Sequence, residues 1–103
     1  MAASRYNQTS AKDAGVIFPR LESWNGDTKC ATIAAQVNRQ RVLCRISHKT
    51  LQDKFGASDE DPMKFLARHR SVIERAVRVL IENNDYEEDG SILIRLRDLA
   101  LLE

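Results

Sequence analysis

The sequence predicts an α+β domain, in which a small antiparallel sheet of three to four strands carries two helices on one face, in the order β-β-β-α-α-β. Three observations support this fold class. Residues 29–37 and 40–46 alternate apolar and polar side chains around Asn38-Arg39, which indicates a hairpin. Residues 62–80 repeat apolar side chains at helical spacing, and residues 91–97 alternate again after an acidic segment.

The chain before the hairpin contains two short features. Val16-Ile17-Phe18 is an apolar run that Pro19 stops, so it predicts a brief edge strand. Residues 22–27 end in Asn25-Gly26-Asp27, which is typical of a turn. Residues 1–15 are polar and rich in small side chains, and we expect a disordered arm there. Residues 16–103 then form a single domain.

The hairpin register follows from its turn. If Val37 pairs with Gln40, Ile33 lies opposite Cys44 on an apolar face. That face also holds Ala31, Ala35, Val42 and Ile46, whereas the other face holds Thr32, Gln36, Arg41 and Arg45. One face is therefore expected to meet the core and the other to meet water.

Two helices follow the hairpin. Ser47 is a suitable N-cap and Gly56 a suitable stop for the first helix, in which Leu51 and Phe55 face the sheet. Asp61 caps the second helix, with Pro62 at its first position. Its stripe runs for about five turns through Phe65, Leu66, His69, Val72, Ile73, Ala76, Val77 and Leu80, and it ends at Asn83-Asn84-Asp85.

The last segment is predicted to return to the sheet. Ile92, Ile94 and Leu96 alternate with Leu93, Arg95 and Arg97, which indicates a strand over residues 91–97. Residues 99–102 form an apolar tail whose secondary structure the pattern does not determine.

Composition limits the classes of function. The 103 residues are 43% hydrophobic and 30% charged, with a net charge of +1, as in an ordinary globular domain. Residues 39–78 hold ten basic and five acidic side chains, whereas residues 82–89 form an acidic block. No secretory signal or membrane span is visible, and two widely spaced cysteines suit a reducing compartment. We therefore expect a cytoplasmic protein without a membrane partner.

Motifs along the whole core segment resemble the bacterial family known as domain of unknown function 1488. The matching features are Phe18-Pro19, Trp24, residues 42–47, Leu51, Phe55-Gly56, Phe65-Leu66, His69-Arg70, Ile73-Glu74, Asp89-Gly90 and Asp98-Leu99. The resemblance covers about residues 16–99. It implies a small, usually free-standing α+β protein, and it implies no active-site roles.

Residue types suited to chemistry do not form a convincing catalytic or metal-binding set. Cys30, Cys44, His48 and His69 could ligate zinc, but the register puts the two cysteines on opposite faces. A Cys44–His48 nucleophile pair is disfavoured because burial raises the pKa of a thiol. His69 either satisfies its nitrogens at the edge of the core or forms the polar floor of a pocket. We predict no cofactor, no metal and no enzymatic activity.

Arginines define the candidate binding surface. Its members are Arg39, Arg41, Arg45, Arg68, His69, Arg75 and Arg78. We predict a non-enzymatic binding or regulatory module that contacts an unknown protein partner, which can be a second copy, because Leu99, Leu101 and Leu102 are apolar. The alternative is a transcription-related protein that binds nucleic acid through its basic hairpin and helix surface. The acidic linker between the two helices, residues 58–61, and the shortage of aromatic residues weigh against that alternative.

Overall fold

The structure, a computed structural model, describes residues 15–56 and 61–100. In chain order its elements are β1 (Val16–Ile17), β2 (Glu22–Asn25), β3 (Cys30–Val37), β4 (Gln40–Ser47), α1 (His48–Phe55), α2 (Pro62–Arg68), α3 (Arg70–Glu82), β5 (Ile92–Ile94) and α4 (Leu96–Ala100). The α+β class is confirmed, with a larger, mixed sheet and shorter, more numerous helices than expected. The predicted N-terminal arm lies outside the described residues except for Gly15.

The β3–β4 hairpin has the predicted register. Val37 pairs with Gln40 and Ile33 with Cys44. Asn38 and Arg39 both have positive φ angles, 50° and 72°, as the two central residues of a type I′ turn require. This turn matches the right-handed twist of the strands, so it fixes which side chains face the core.

Two short strands share the other edge of β3. Val16 of β1 pairs with Val37, and Trp24 of β2 pairs with Ala31. The prediction of a turn over residues 22–27 was wrong, because Glu22–Asn25 is a strand. The sequence of β2 does not indicate a strand, because three of its four residues are polar and only pairing with β3 makes the segment extended. The turn begins at Asn25, whose Oδ1 accepts from the amide of Asp27 at 2.9 Å.

The last strand runs parallel to β4, so the expectation of an antiparallel sheet was wrong for β5. β5 is also shorter than predicted, because the chain enters α4 at Leu96. The amide of Glu87 donates to the carbonyl of Ser91 at 2.8 Å, and the amide of Arg95 donates to Oδ2 of Asp98 at 2.7 Å. These local contacts occupy both ends of β5 and leave little of its edge for another strand.

The predicted helix signals for α1 and α2 are confirmed. Oγ of Ser47 accepts from the amide of Thr50, and Gly56 ends α1 in the left-handed region at φ 87°. Asp61 caps α2 through the amide of Met63, with Pro62 at the start. Local sequence therefore decides where these helices begin and where α1 ends.

The prediction of a single long helix was wrong, because His69 separates α2 from α3 with φ −111° and ψ 22°. The amide of His69 still donates to Phe65, and the carbonyl of His69 accepts from Val72 and Ile73. Only one residue leaves the helical conformation, so the apolar repeat continues across the break and does not reveal it. The His69 ring stacks on Phe55 of α1, a tertiary contact that the periodicity does not contain.

Helices and sheet form two layers around one core. The largest fully buried side chains are Phe65, Ile33, Ile46, Leu51, Leu66, Ile73, Ile92, Ile94, Leu99, Val77 and Cys44. The core-facing positions of β3, β4 and β5 supply the sheet side of this cluster, and no helix of the described ranges packs on the opposite sheet face. We name that side the open face. None of the helices in the described ranges is long and apolar enough to cross a bilayer.

The apolar tail was expected to offer Leu99 to a partner, and this was wrong. Leu99 belongs to α4 and is fully buried in the core. A helix after β5 turns this side chain back onto the helical layer, so it is unavailable for association. Leu101 and Leu102 lie outside the described residues.

Candidate binding surface

The seven predicted surface residues lie on two different sides of the sheet. Arg39, Arg41 and Arg45 belong to the hairpin, and the last two project from the open face. Arg68, His69, Arg75 and Arg78 belong to the helical layer or its junction. The fold therefore splits the predicted surface into two groups separated by the core.

Arg45 is held by the turn that precedes β5. Its Nη2 donates to Oγ of Ser91 at 2.8 Å and lies 3.7 Å from Oδ2 of Asp89. Its Nε is buried without a hydrogen-bond partner. Hydrogen bonds from the hydroxyl and the amide of Ser91, with the charge of Arg45 a smaller cause, hold the pKa of Asp89 below its usual value. The guanidinium thus anchors this turn to β4.

Arg39 and Arg41 are exposed at the same end of the hairpin. Among the ion pairs of the described residues, none involves either side chain. These two arginines are the members of the predicted surface that the hairpin leaves accessible and unpaired.

His69 supports the junction between helices. Its ring is parallel to that of Phe55, with centroids 3.9 Å apart and an interplanar angle of 5°. The centroid of the Phe65 ring lies 6.4 Å from that of His69, and the guanidinium of Arg68 lies over the Phe65 ring. His69 is half-buried, so this packing supports the expectation of a histidine at the edge of the core.

Arg70 was not among the predicted surface residues, although it has the densest set of contacts. Its Nε donates to Oε2 of Glu74 at 2.7 Å, Nη1 donates to Glu22, and Nη2 donates to the carbonyl of Pro19 at 3.1 Å. Burial alone would lower the pKa of Arg70, but its bonds to Glu74 and Glu22 outweigh burial and raise it. The i,i+4 spacing to Glu74 was visible in sequence, whereas the contact with β2 was not.

Arg78 and Arg75 lie further along α3. The Arg78 guanidinium lies 5.2 Å from the centroid of the Phe18 ring, and Arg75 is exposed. Phe18 and Arg70 also line a groove of about 710 Å³ at the junction of the β1–β2 loop and the helices. Because Glu22 and Glu74 both accept from Arg70, the acids of this groove are already paired.

The cysteines have no arrangement suited to catalysis. Burial raises the pKa of the Cys44 thiol to about 12, and the thiol donates to the carbonyl of Val42 at 3.6 Å. His48 instead contacts Trp24 in an edge-to-face arrangement at 5.8 Å. Cys30 pairs with Ser47 in the register and therefore lies on the opposite face from Cys44. Within residues 15–56 and 61–100, no three His, Cys, Asp or Glu side chains are grouped to hold a metal ion.

An apolar patch on the open face was missed by the sequence analysis. Ile17, Leu43 and Leu21 are 56%, 51% and 44% exposed and are three of the five large exposed hydrophobic side chains of the described residues. A shallow trough of about 200 Å³ lies between two of them, Leu21 and Leu43, and is lined by Leu21, Glu22, Ser23, Thr32, Ile33, Ala34, Arg41 and Leu43. Strand alternation alone places Leu43 and Ala34 on this face, so the signal for part of the patch was present.

Comparison with known proteins identifies the family. The family model described as a protein of unknown function, DUF1488, matches residues 16–94. The chain belongs to the DUF1488 family. Its fold also matches that of a crystal structure of a DUF1488 protein of unknown function from Shewanella loihica PV-4, with a TM-score of 0.73. That match has 20% identity and covers 79% of this chain and 92% of the other, so it supports the fold alone.

Curated relatives of this DUF1488 chain carry no assigned activity. The uncharacterized protein YrdB of Escherichia coli K12 is 30% identical over 74 residues, which is 71% of this chain and 87% of YrdB. YrdB of Shigella flexneri matches to the same extent. Function must therefore be argued from the surfaces of the DUF1488 fold.

Proposed function

We propose that this protein is a non-enzymatic binding module that contacts another polypeptide through the open face of its sheet. The observation that carries the proposal is the apolar patch of Ile17, Leu21 and Leu43 on a face that none of the helices within residues 15–56 and 61–100 covers. A sheet face exposed to water normally alternates to polar side chains, so a patch of large apolar residues there indicates contact with a partner.

The chemistry of the described residues agrees with a module that binds without catalysis. The buried thiol of Cys44 is a poor nucleophile at neutral pH because its pKa is about 12. Glu22, Glu74, Glu87 and Asp89 are engaged by arginines. Glu22 and Glu74 line one groove, but both already accept from Arg70, and Glu87 and Asp89 lie in the loop before β5.

Site-specific photocrosslinking tests the proposal. A photoreactive amino acid replaces Leu43 in one variant and Val79 in another, and both chains are produced in bacterial cells. Val79 is 42% exposed on α3, on the helical side, so it is a matched control. We expect a discrete adduct from position 43 and none of that mass from position 79.

The captured polypeptide must then be identified and purified for direct binding. We expect Leu43→Lys to bind this polypeptide at least about tenfold more weakly than the wild type does, since a charge replaces a central apolar contact. Val79→Lys should bind like the wild type. Absence of an adduct at position 43, or equal loss of binding with both lysine variants, would contradict the proposal.

Binding of nucleic acid is the second candidate, and Arg39 and Arg41 are the observation in its favour. Both are exposed and unpaired, as phosphate contacts require. However, the aromatic residues of the described ranges pack in or against the core, so they supply no base-stacking platform on the open face. Arg45 is also engaged by Asp89. We expect no anisotropy change with mixed oligonucleotides at low salt, and salt-sensitive binding abolished by Arg41→Gln would favour this alternative.

A further inference from the structure

We infer that the partner polypeptide binds as an extended strand that adds to the free part of the β4 edge and places an acidic side chain beside Arg41. This inference rests on the proposed function and names the class of partner, a segment of another protein in which an acidic and an apolar residue lie two positions apart. It follows from three properties of the edge: its unpaired backbone groups, the groove beside it and the charge that lines this groove.

The first part of β4, from Gln40 to Leu43, has a strand on one side only. β5 pairs with residues 44–46, and among the strands of residues 15–56 and 61–100 none continues along this side of β4 toward the hairpin turn. An edge of this kind presents amides and carbonyls to which an extended peptide can add as a further strand. The proposed partner therefore meets main-chain groups directly beside the exposed Leu43.

The register determines which backbone groups point outward. Val37 and Gln40 flank the two-residue turn and exchange both hydrogen bonds, and bonded and non-bonded pairs then alternate along the hairpin. Arg41 and Leu43 belong to non-bonded pairs, so their amides point away from β3. The pairing of β5 agrees with this alternation, because it uses the outward groups of Arg45. Since no loop hydrogen bond of the described chain uses them, both backbone groups of Arg41 and the amide of Leu43 are available.

A groove of about 720 Å³ lies beside this free edge, between the hairpin and the loop that precedes β5. Its hairpin side includes Gln40, Arg41 and Val42, and its loop side is formed by Tyr86, Asp89 and Gly90. Val42 and Tyr86 are half-buried and pack against the core, so the floor of the groove is apolar. A groove of this volume can hold a small ligand, and a short extended segment therefore has room there.

The uncompensated charge of the groove is positive. Arg41 and Asp89 are the charged side chains that line it, and Asp89 lies 3.7 Å from Arg45. No ion pair among the described residues involves Arg41 or its exposed neighbour Arg39. An acidic side chain on the added strand would supply the missing opposite charge.

Cross-strand geometry gives the sequence pattern of the partner. Residues directly opposite each other on adjacent strands lie on the same face of the sheet, with Cβ atoms about 4.5–5.5 Å apart. An acidic residue opposite Arg41 therefore lies on the open face, and the residue two positions away lies on the same face beside Leu43. The residue between them faces Val42 and Tyr86. The partner thus combines one acidic and two apolar side chains in three consecutive residues.

A symmetric peptide tests the inference directly. The probe is acetylated and amidated Thr-Leu-Val-Glu-Val-Leu-Thr, which has the same pattern in both directions and so tests parallel and antiparallel addition together. Titrated into the isotopically labelled full chain, it should shift the amide resonances of Arg41 and Leu43 most. We expect a dissociation constant on the order of 100–1,000 µM, because the free edge offers few backbone groups.

The matched control is the same peptide methylated at the backbone nitrogens of its glutamate and both valines. It keeps every side chain but cannot donate to the edge, so it should bind at least about tenfold more weakly. Equal binding of the two peptides, or binding of the first peptide that leaves the resonances of Arg41 and Leu43 unchanged, overturns the inference.

Two substitutions separate the charge from the backbone. Arg41→Gln keeps the amide and should weaken binding of the probe severalfold, whereas Arg75→Gln on the exposed side of α3 should leave it unchanged. Arg41→Pro also removes the outward amide without taking a donor from the ladder with β3, and it should weaken binding further. Circular dichroism verifies that the variants are folded. Equal binding by Arg41→Pro and the wild type would contradict strand addition.

Hydrogen exchange of the chain without peptide shows whether the edge is free. The amides of Arg41 and Leu43 should exchange much faster than those of Val42 and Cys44, which point toward β3. Protection of the two outward amides that increases with protein concentration would show a second copy on the edge. Protection that disappears when residues 1–14 are deleted would show that this segment occupies it. Either result overturns the inference.

The captured partner separates this inference from the proposed function. If it is lost with Leu43→Lys and bound normally by Arg41→Pro, the proposed function survives and strand addition fails. If it is weakened at least tenfold by both substitutions, both are supported. Absence of any adduct at position 43 contradicts both.

Discussion

At the scale of single residues, the two cysteines differ in reactivity because they lie on opposite sheet faces. Cys44 is buried with a pKa of about 12, whereas Cys30 is half-buried and its thiol donates to the carbonyl of Thr28. At pH 8 a thiol reagent should modify Cys30 in the native protein and Cys44 only after denaturation. Mild oxidation should give no loss of two hydrogens in the intact monomer mass. Rapid modification of both thiols, or that mass loss, would contradict the register.

Asp89 gives a pH-dependent prediction. Its pKa is lowered in the folded state by the hydroxyl and amide of Ser91, so ionised Asp89 stabilises the turn at pH values above its unfolded pKa of about 3.9. The contribution is lost as the pH falls through the lower, folded pKa. Urea unfolding should therefore show Asp89→Asn less stable than the wild type at pH 7, with the difference shrinking toward pH 2. A difference that stays constant with pH would exclude this role.

The sheet face on which each hairpin residue lies could be predicted from the sequence, but the apolar patch that some of these residues help to form was not predicted. The period of two places Ala34 and Leu43 on the wet face with Arg41 as firmly as it places Cys44 in the core. Exposure of Ile17 and Leu21 next to them could not be predicted, because it depends on where a loop of the folded chain passes. The apolar patch can be recognised only when the strand position of Leu43 is combined with the positions of Ile17 and Leu21 in the folded chain.

At the scale of elements, α1 depends on its two ends. Ser47→Ala removes the acceptor for the amide of Thr50 and should cost about 1 kcal/mol. Gly56→Ala places a side chain at φ 87°, which should cost about 1–2 kcal/mol through backbone strain alone, since a Cβ there meets nothing within 4 Å. Chemical denaturation measures both. Lys49→Ala, on the exposed side of α1, is the control and should change stability by less than about 0.5 kcal/mol.

Arg70 joins α3 to β2 and to the loop before it. Arg70→Met keeps much of the side-chain volume but leaves Glu22 and Glu74 without their common donor. Hydrogen bonds to charged groups contribute about 1.5–3 kcal/mol, so unfolding should become easier by about that amount. Arg75→Met, one turn later on the exposed side of α3, should have almost no effect. Equal effects of the two substitutions would show that Arg70 acts only through helix propensity.

Elements with strong local signals were predictable and those created by pairing were not. The N-caps Ser47 and Asp61 and the stop at Gly56 are written in two or three adjacent residues. β2 has no such signal, because Glu22, Ser23 and Asn25 become extended only when β3 is beside them. The interruption at His69 is likewise set by a ring on α1, which no window along α2 or α3 contains.

At the scale of the whole molecule, α4 closes the core. Leu99 is fully buried, so Leu99→Ala should lower the free energy of unfolding by about 2–5 kcal/mol. Leu96 on the same helix is 41% exposed, and Leu96→Ala should cost less than about 1 kcal/mol. Thermal unfolding of both variants distinguishes a core helix from an apolar tail. Similar melting temperatures for the two would contradict the burial of Leu99.

The sequence predicted two layers correctly because alternating strands and an amphipathic helix each need one apolar surface covered. It did not predict the direction of β5. A three-residue strand has the same alternation in either direction, and the choice depends on which end of the sheet α3 returns to. For the same reason the sequence could name Arg39, Arg41 and Arg45 together but could not separate them from Arg68, Arg75 and Arg78.

The position of β5 has a consequence for synthesis on the ribosome. β4 ends at Ser47, but the strand that covers its second edge begins only at Ile92. At about 5–20 residues per second, a nascent chain displays that edge for several seconds after the hairpin has emerged. Throughout that interval the backbone of residues 44–46 can pair with any extended chain nearby. Slow translation of the helical segment would prolong this exposure, and a chaperone that recognises unpaired strands would have its longest opportunity there.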